Sequence, residues 1–440
     1  MKILKNINLK YLILVIFTAI IMLINFPYKI SHYGKDNFDW WSNETMLADM
    51  MYIENFGYDS LFQKSITPVS DIGYEPENRI NLVYNYYTSN AKFEKRSYET
   101  YYSNLTIQRY FYNIINFLTR NNHKITIRIL YIVNTLLFAC CLCTIIIYIN
   151  KLTNRRVAIA TYLILMFLTP SLIMYCKNLY WCAWSLFVPF LTSCYVIQKG
   201  YYKKNIKKAN LLLFTSCFIK QLLYFEYIST IFVSCMIPII YYILSKEKIN
   251  KKNIKKLIIS AIYIMLSFVA ISIIKFLLLF IEFKSFSESY CTFIIPIINR
   301  IIGNKNDLVY GMSAKEPLIN VLKMMLDKPF IVYGNYKYIC EKYVIIISLI
   351  LTIINIIKAK NKKKQEKELI NGIILVISLI GSLSWFVLAK PHTFIHNVQC
   401  EILWFISYNI LAITYILKSI DNFLCKIYGN AGKNQSNYNY

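Results

Sequence analysis

Four carboxylates crowd one short stretch of this chain. Residues 35–57 read KDNFDWWSNETMLADMMYIENFG and carry Asp36, Asp39, Glu44 and Asp49 beside Trp40 and Trp41. A carboxylate held against a hydroxyl can take its proton as the hydroxyl attacks, which is general-base chemistry. Asp39, with Asp36 as the alternate, is the leading candidate, because both follow the first apolar segment closely. A solvated acidic loop with two interfacial tryptophans is the plain alternative, since Trp is enriched at membrane surfaces.

Other ionisable residues stand at the edges of apolar text. FIKQLLYFEY sets Lys220 and Glu226 at the ends of two apolar segments. SWFVLAKPHTFIHNVQCEILW sets Lys390, His392 and His396 between the last two, and holds two of the chain's four histidines. Ionisable groups beside an apolar phase are costly and tend to have a purpose. Snorkelling lysines and interfacial histidines are the plain alternative there. The twelve cysteines form no CxxC signature, and no His-rich metal motif occurs. Cys291 with Cys340, and Cys176 with Cys182, could pair on an oxidising side. A cofactor is left open, a divalent metal being one option.

The elements that must position these groups are membrane helices. The chain is 57% hydrophobic and only 16% charged, against roughly 25% charged in soluble domains. Apolar runs recur along its whole length, as transmembrane segments do. The net charge of +26 comes from short lysine runs between apolar segments. Membrane topology explains such runs, and no nucleic-acid partner is expected. The first segment, Tyr11 to Phe26, follows Lys2, Lys5 and Lys10 and precedes Pro27, Tyr28 and Lys29. No small-x-small site follows it, so it reads as an uncleaved anchor.

Nine more apolar segments follow, at about 127–149, 157–173, 181–198, 208–223, 227–244, 255–281, 343–358, 370–389 and 401–418. Every second loop is basic, as with Lys151, Arg155 and Arg156, and again with Lys358, Lys360, Lys362, Lys363 and Lys364. The positive-inside rule then sets both termini in the cytoplasm of a multi-pass cell-membrane protein. The expected fold class is all-α, polytopic, with about ten transmembrane helices and two longer outer loops carrying interfacial helices. The organisation would be an anchor (1–28), a first outer loop (29–125), spans (126–281), a second outer loop (282–342), further spans (343–420) and a polar cytoplasmic tail (421–440). Two amphipathic helices are expected in the first loop. One puts Met46, Leu47, Met50, Met51 and Ile53 on a face, between Ser42 or Asn43 as cap and Gly57 as stop. The other repeats Ile107, Tyr110, Phe111, Ile114, Ile115 and Leu118 at helical spacing. Both could lie on the membrane surface or pack on the span ends.

An anchor, an acidic outer loop with a surface helix and about nine more spans resemble the type-C fold membrane glycosyltransferases. Asn178–Phe190 (NLYWCAWSLFVPF), Phe225–Ser229 (FEYIS) and Ser384–His396 (SWFVLAKPHTFIH) resemble segments of bacterial membrane proteins of cell-surface polysaccharide synthesis. The resemblance implies a first-loop carboxylate as base, Asp39 or Asp36. It also implies a sugar on a polyprenyl phosphate as donor, and a glycan or lipid acceptor on the outer face. The family's acids are adjacent or one residue apart, whereas Asp36 and Asp39 are separated by two, which leaves open which acid serves. Glu44, Asp49, Lys220, Glu226, Lys390, His392 and His396 would then line the substrate site, with membrane lipids around it. A polysaccharide polymerase and a flippase or transporter of lipid-linked saccharide are the alternatives. A transporter would want charges along a central path and Gly- or Pro-broken helices, and this chain has 11 Gly and few mid-span charges.

Overall fold

The computed structural model describes residues 9–25, 42–66, 76–247, 249–303, 308–309, 312–313, 317–334 and 336–435. Helices dominate. The first apolar segment forms α1 (Leu9–Leu23), and the polar stretch after it forms α2 (Asn43–Phe56), α3 (Pro76–Ser89) and α4 (Gln108–Leu118). Then come α5 (His123–Leu152), α6 (Arg155–Phe167), α7 (Val188–Gln198), α8 (Ile206–Leu223), α9 (Ile228–Lys246) and α10 (Lys251–Phe283). The second polar stretch carries α11 (Phe286–Ile302) and α12 (Leu318–Leu326). The chain closes with α13 (Glu341–Ile357), α14 (Lys362–Leu388), α15 (Lys390–Ile395), α16 (Ile402–Ser407) and α17 (Asn409–Gln435). Sheet is limited to three two-stranded ribbons among the described residues. In the first, β1 (Gln63–Ile66) runs antiparallel to β2 (Tyr98–Tyr101) and closes the long loop on itself.

All ten apolar segments are helical at least in part. Among the described residues α5, α9, α10 and α14 are long and apolar enough to cross a membrane. The segment 399–427, bent by 50° between α16 and α17, would be a fifth. Two of the others are interrupted and a third is short. Pro170 starts a separate turn just past α6, and the segment at 181–198 begins as a 3-10 turn over Ala183–Phe187 before α7. The α1 helix has 15 residues, about 22 Å at 1.5 Å per residue, where a hydrocarbon core is about 30 Å thick.

Asparagine sets many of the helix starts. Asn154, Asn205, Asn250 and Asn361 each accept a bond from the third residue of α6, α8, α10 and α14, supplying one of the orphan N–H groups of a first turn. These caps sit in the lysine-rich connections, so one end of the bundle is basic and the other carries the long loops.

Packing uses small and hydroxyl residues, as helices in an apolar medium do. A Cβ on Gly381 would lie 2.9 Å from Val233 Cγ1 and 3.0 Å from Ser407 Oγ, so α14 meets α9 and α16 at close range. On α10, Ser260, Ile264, Ser267, Phe268, Ile271, Lys275 and Leu279 are buried. Its Ile258, Ile262, Val269, Ile273 and Leu277 face outward, an apolar stripe suited to lipid.

The two loop helices part company. Residues 43–52 of α2 are buried on every side, so this helix is packed between β1, α3 and α4 and not laid on a surface. Gly57 ends it with φ +76, a left-handed angle that glycine tolerates. Ser42 precedes it without a side-chain cap bond. On α4 the polar residues Gln108, Arg109 and Asn116 are buried, while Ile107, Phe111, Ile114, Phe117 and Leu118 are exposed. A helix with its polar face inward and its apolar face outward fits a membrane surface. All twelve cysteines are free, Cys291 and Cys340, and Cys176 and Cys182, included. Cys182 instead lies against the Tyr112 hydroxyl at 3.2 Å.

Candidate functional site

At the loop-rich end, four distant parts of the chain meet around Glu226. The carboxylate sits in the four-residue link between α8 and α9. Its Oε1 accepts from Arg300 Nη2 at 2.8 Å, and its Oε2 lies 3.1 Å from His392 Nε2. The Tyr224 hydroxyl donates to the same Oε2. Arg300 also donates to Ser103 Oγ at 2.6 Å, and Lys275 Nζ donates to the Ser103 carbonyl at 2.6 Å.

The link itself is built from its flanks. Lys220, with no exposed surface, donates from Nζ to the Tyr224 carbonyl at 2.9 Å and to the Glu226 carbonyl. Asn104 Oδ1 accepts the Phe225 amide at 2.8 Å. Tyr227 then takes φ +64, uncommon for a bulky side chain and held only where the surroundings over-determine it. Its ring packs on Tyr224 and Trp385. Trp181 stacks on Tyr224 at 5.6 Å, and Asn104 Nδ2 reaches the Tyr180 hydroxyl at 2.6 Å. The 178–181 segment therefore walls the cluster.

The charge balance is one-sided. Among the described residues Glu226 is the carboxylate that faces Arg300, Lys220 and Lys275, with His392 and His396 beside them. Burial by itself opposes ionisation of Glu226, but His392, Arg300 and the Tyr224 hydroxyl outweigh it and hold its carboxyl well below the usual range. Buried charge needs pairing of this kind, and donors left over from that pairing suit an anion. Among the described residues Arg300 Nε and His392 Nδ1 are buried without a hydrogen-bond partner. The side chain of Arg300 is 21% exposed against 6% for Glu226. His396 is exposed, with its ring 4.6 Å from that of His392. Arg300 and His396 thus form the open edge of the cluster, and Lys220 and Glu226 its buried floor.

Of the residues singled out from the sequence, Lys220, Glu226, His392 and His396 come together here. Lys390 opens α15, partly exposed, two residues before His392. Asp49 goes elsewhere. It has no exposed surface and is bracketed by Arg109, Nη2 to Oδ1 and Nε to Oδ2 both at 3.0 Å, with the Lys64 amide at 2.7 Å. Burial pushes it up to about 6, against the pull of Arg109, Lys64 and Asn113. That pair holds α2 to α4, and it leaves Asp49 no surface for meeting a substrate. Glu44 is buried in the first turn of α2, where a carboxylate complements the helix dipole. Asp36, Asp39, Trp40 and Trp41 lie outside the described residues. Asn43, four residues after Asp39, accepts the Leu179 amide at 2.7 Å, so the start of α2 abuts the segment that walls the cluster.

Arg300 was not foreseen, nor were Ser103 and Lys275. A mark of Arg300 was present: it is the only arginine after Arg156 in a lysine-rich chain. Arginine's planar fork suits carboxylate and phosphate where lysine offers only a point charge. Among the described residues no group of three His, Cys, Asp or Glu side chains is placed to hold a metal ion.

No protein-family model and no curated protein matches the chain. One solved structure, the archaeal oligosaccharyltransferase AglB from Archaeoglobus fulgidus in complex with an inhibitory peptide and a dolichol-phosphate, is similar over 97% of this chain and 52% of its own. The TM-score is 0.47 and the identity 9%. The chain spans about half the length of that protein, and a likeness of this size assigns neither a family nor a reaction.

Proposed function

We propose that this chain is an integral membrane glycosyltransferase moving a sugar from a polyprenyl-phosphate carrier to a glycan or lipid acceptor on the outer face. The observation that carries the reading is the cationic cluster around Glu226, set at the loop-rich ends of membrane helices. In such a transfer the acceptor oxygen bonds to the anomeric carbon, and the bond from that carbon to the phosphate oxygen breaks. The lipid phosphate leaves with the electron pair, and the acceptor proton passes to a base.

The residues divide along those lines. Arg300, His396 and Lys390 meet the phosphate, whose growing negative charge is stabilised by donors already in place. Glu226 is a positioning residue that orients Arg300 and His392, and Lys220 and Lys275 add field from below. Asp39, or Asp36 in its stead, takes the acceptor proton. The carrier's apolar tail lies along the helices, which explains why the site is at a membrane. Trp181 and Tyr180 belong to the wall rather than to a sugar platform, since both are buried.

The test is a deletion strain. Loss of the protein should deplete one surface glycan and raise one polyprenyl-phosphate-linked saccharide, and the intact gene should restore both. Unchanged pools of lipid-linked sugar and surface glycan would remove the reading. A fall in glycan with no rise in carrier-linked saccharide would point away from transfer at this step.

A further inference from the structure

A cavity lies toward the opposite, lysine-rich end of the bundle. It encloses about 370 Å³ between α5, α7, α9, α14 and α17. That is the size range of a small-ligand site. Its lining includes the apolar Phe190, Ile237 and Leu375, while Lys151 and Lys246 stand in the last turns of α5 and α9, with Lys418 of α17 also in the lining. From Ile237 to Lys246 along α9 is nine residues, about 13 Å at 1.5 Å per residue. From Ile228 to Ile237 is a further nine residues, about 13 Å by the same rise, so half the length of α9 separates the cavity from the Glu226 link.

We infer that this cavity binds a phospholipid with an anionic headgroup, one acyl chain along the apolar lining and the phosphate at the lysines. An apolar lining with lysines at the helix ends matches an anionic amphiphile. The stretch of α9 that lines it, about 13 Å long, is close to one leaflet, half of the roughly 30 Å hydrocarbon core. That match favours an ordinary diacyl phospholipid over a long polyprenyl carrier. These lysines belong to the basic end of the bundle, where basic residues attract anionic lipid. Two carboxylates stand nearby and are already engaged. Glu368 accepts from the Tyr415 hydroxyl at 3.0 Å and from Asn371 at 3.2 Å, and Glu247 accepts from Tyr242 at 2.9 Å. Lys418 also feels Glu368, so Lys151 and Lys246, both exposed, carry most of the recognition.

Native mass spectrometry of the full chain, purified in detergent and titrated with lipids, tests this. Phosphatidylglycerol should be retained at least tenfold better than phosphatidylcholine of the same chains. The triple variant Lys151→Gln, Lys246→Gln, Lys418→Gln should lose that preference, and the corresponding triple arginine variant should keep it. Cys194→Trp, which fills the cavity from α7, should lower retention of both lipids. A control with Lys203, Lys204 and Lys207 changed to Gln should behave as the parent. Equal retention of the two phospholipids, no loss in the glutamine triple, or a tenfold preference for polyprenyl phosphate would each overturn the assignment.

Discussion

At the scale of single residues, buried charge separates structural groups from chemical ones. Removing one partner of a buried ion pair typically costs about 3–5 kcal/mol, since it strands the other charge. Arg109→Met should therefore lower the thermal stability of the purified protein sharply, and adding Asp49→Leu should recover part of the loss. If Asp49→Asn instead left stability unchanged and abolished product, Asp49 would be a substrate contact after all. Glu226 carries a pH prediction. Its folded pKa lies well below the usual carboxylate range, so the stability it contributes is fully present above the unfolded value of about 4.3 and lost as pH falls through the lower folded value. Between pH 5 and 8 Glu226 stays ionised and adds no titration of its own to the melting temperature. Glu226→Gln should lower it at every pH in that window, because Arg300 stays charged throughout, and no loss at any of these pH values would contradict the pairing. Glu226 and His392 were legible because ionisable residues stand out in apolar text. The fate of Asp49 was not, because its partner Arg109 is 60 residues away.

At the scale of elements, periodicity located the helices without telling which face would be covered. Both α2 and α4 read as amphipathic. What decided between packing and exposure was the partners of their polar sides: Arg109 for Asp49, and His123 and Asn116 for Glu54 at 2.7 and 3.1 Å. With those bonds made, α2 is enclosed and α4 turns its apolar side out. A tryptophan placed on that side by Phe117→Trp should add fluorescence strongly quenched by brominated lipid. One placed by Tyr87→Trp, at a fully buried position on α3, should not. Equal quenching at both positions would mean that α4 is covered by protein. The short helices were illegible for a related reason. Hydropathy does not mark where Pro170 or the 3-10 turn at Ala183 divides an apolar run.

At the scale of the whole molecule, the alternation of basic loops is a statement about sides that helix packing leaves open. Labelling single introduced cysteines in a cysteine-free background should find positions 80 and 310 outside, and 205, 250 and 362 inside. Finding 80 and 310 on opposite sides would divide the two long loops that the proposed site needs together. The central claim is that a first-loop acid and the Arg300 edge serve one transfer. The most direct measurement is glycan product per unit of inserted protein for Asp39→Asn and Arg300→Lys, each beside the parent chain. Loss of a general base costs about 10²–10⁴ in rate, and loss of one charge-stabilising donor about 10²–10³. Both variants should insert at parental levels, with no detectable product from Asp39→Asn and at least a tenfold fall for Arg300→Lys, its charge kept but its fork lost. Full product from Arg300→Lys, together with full product from Asp39→Asn and Asp36→Asn singly and combined, would contradict it.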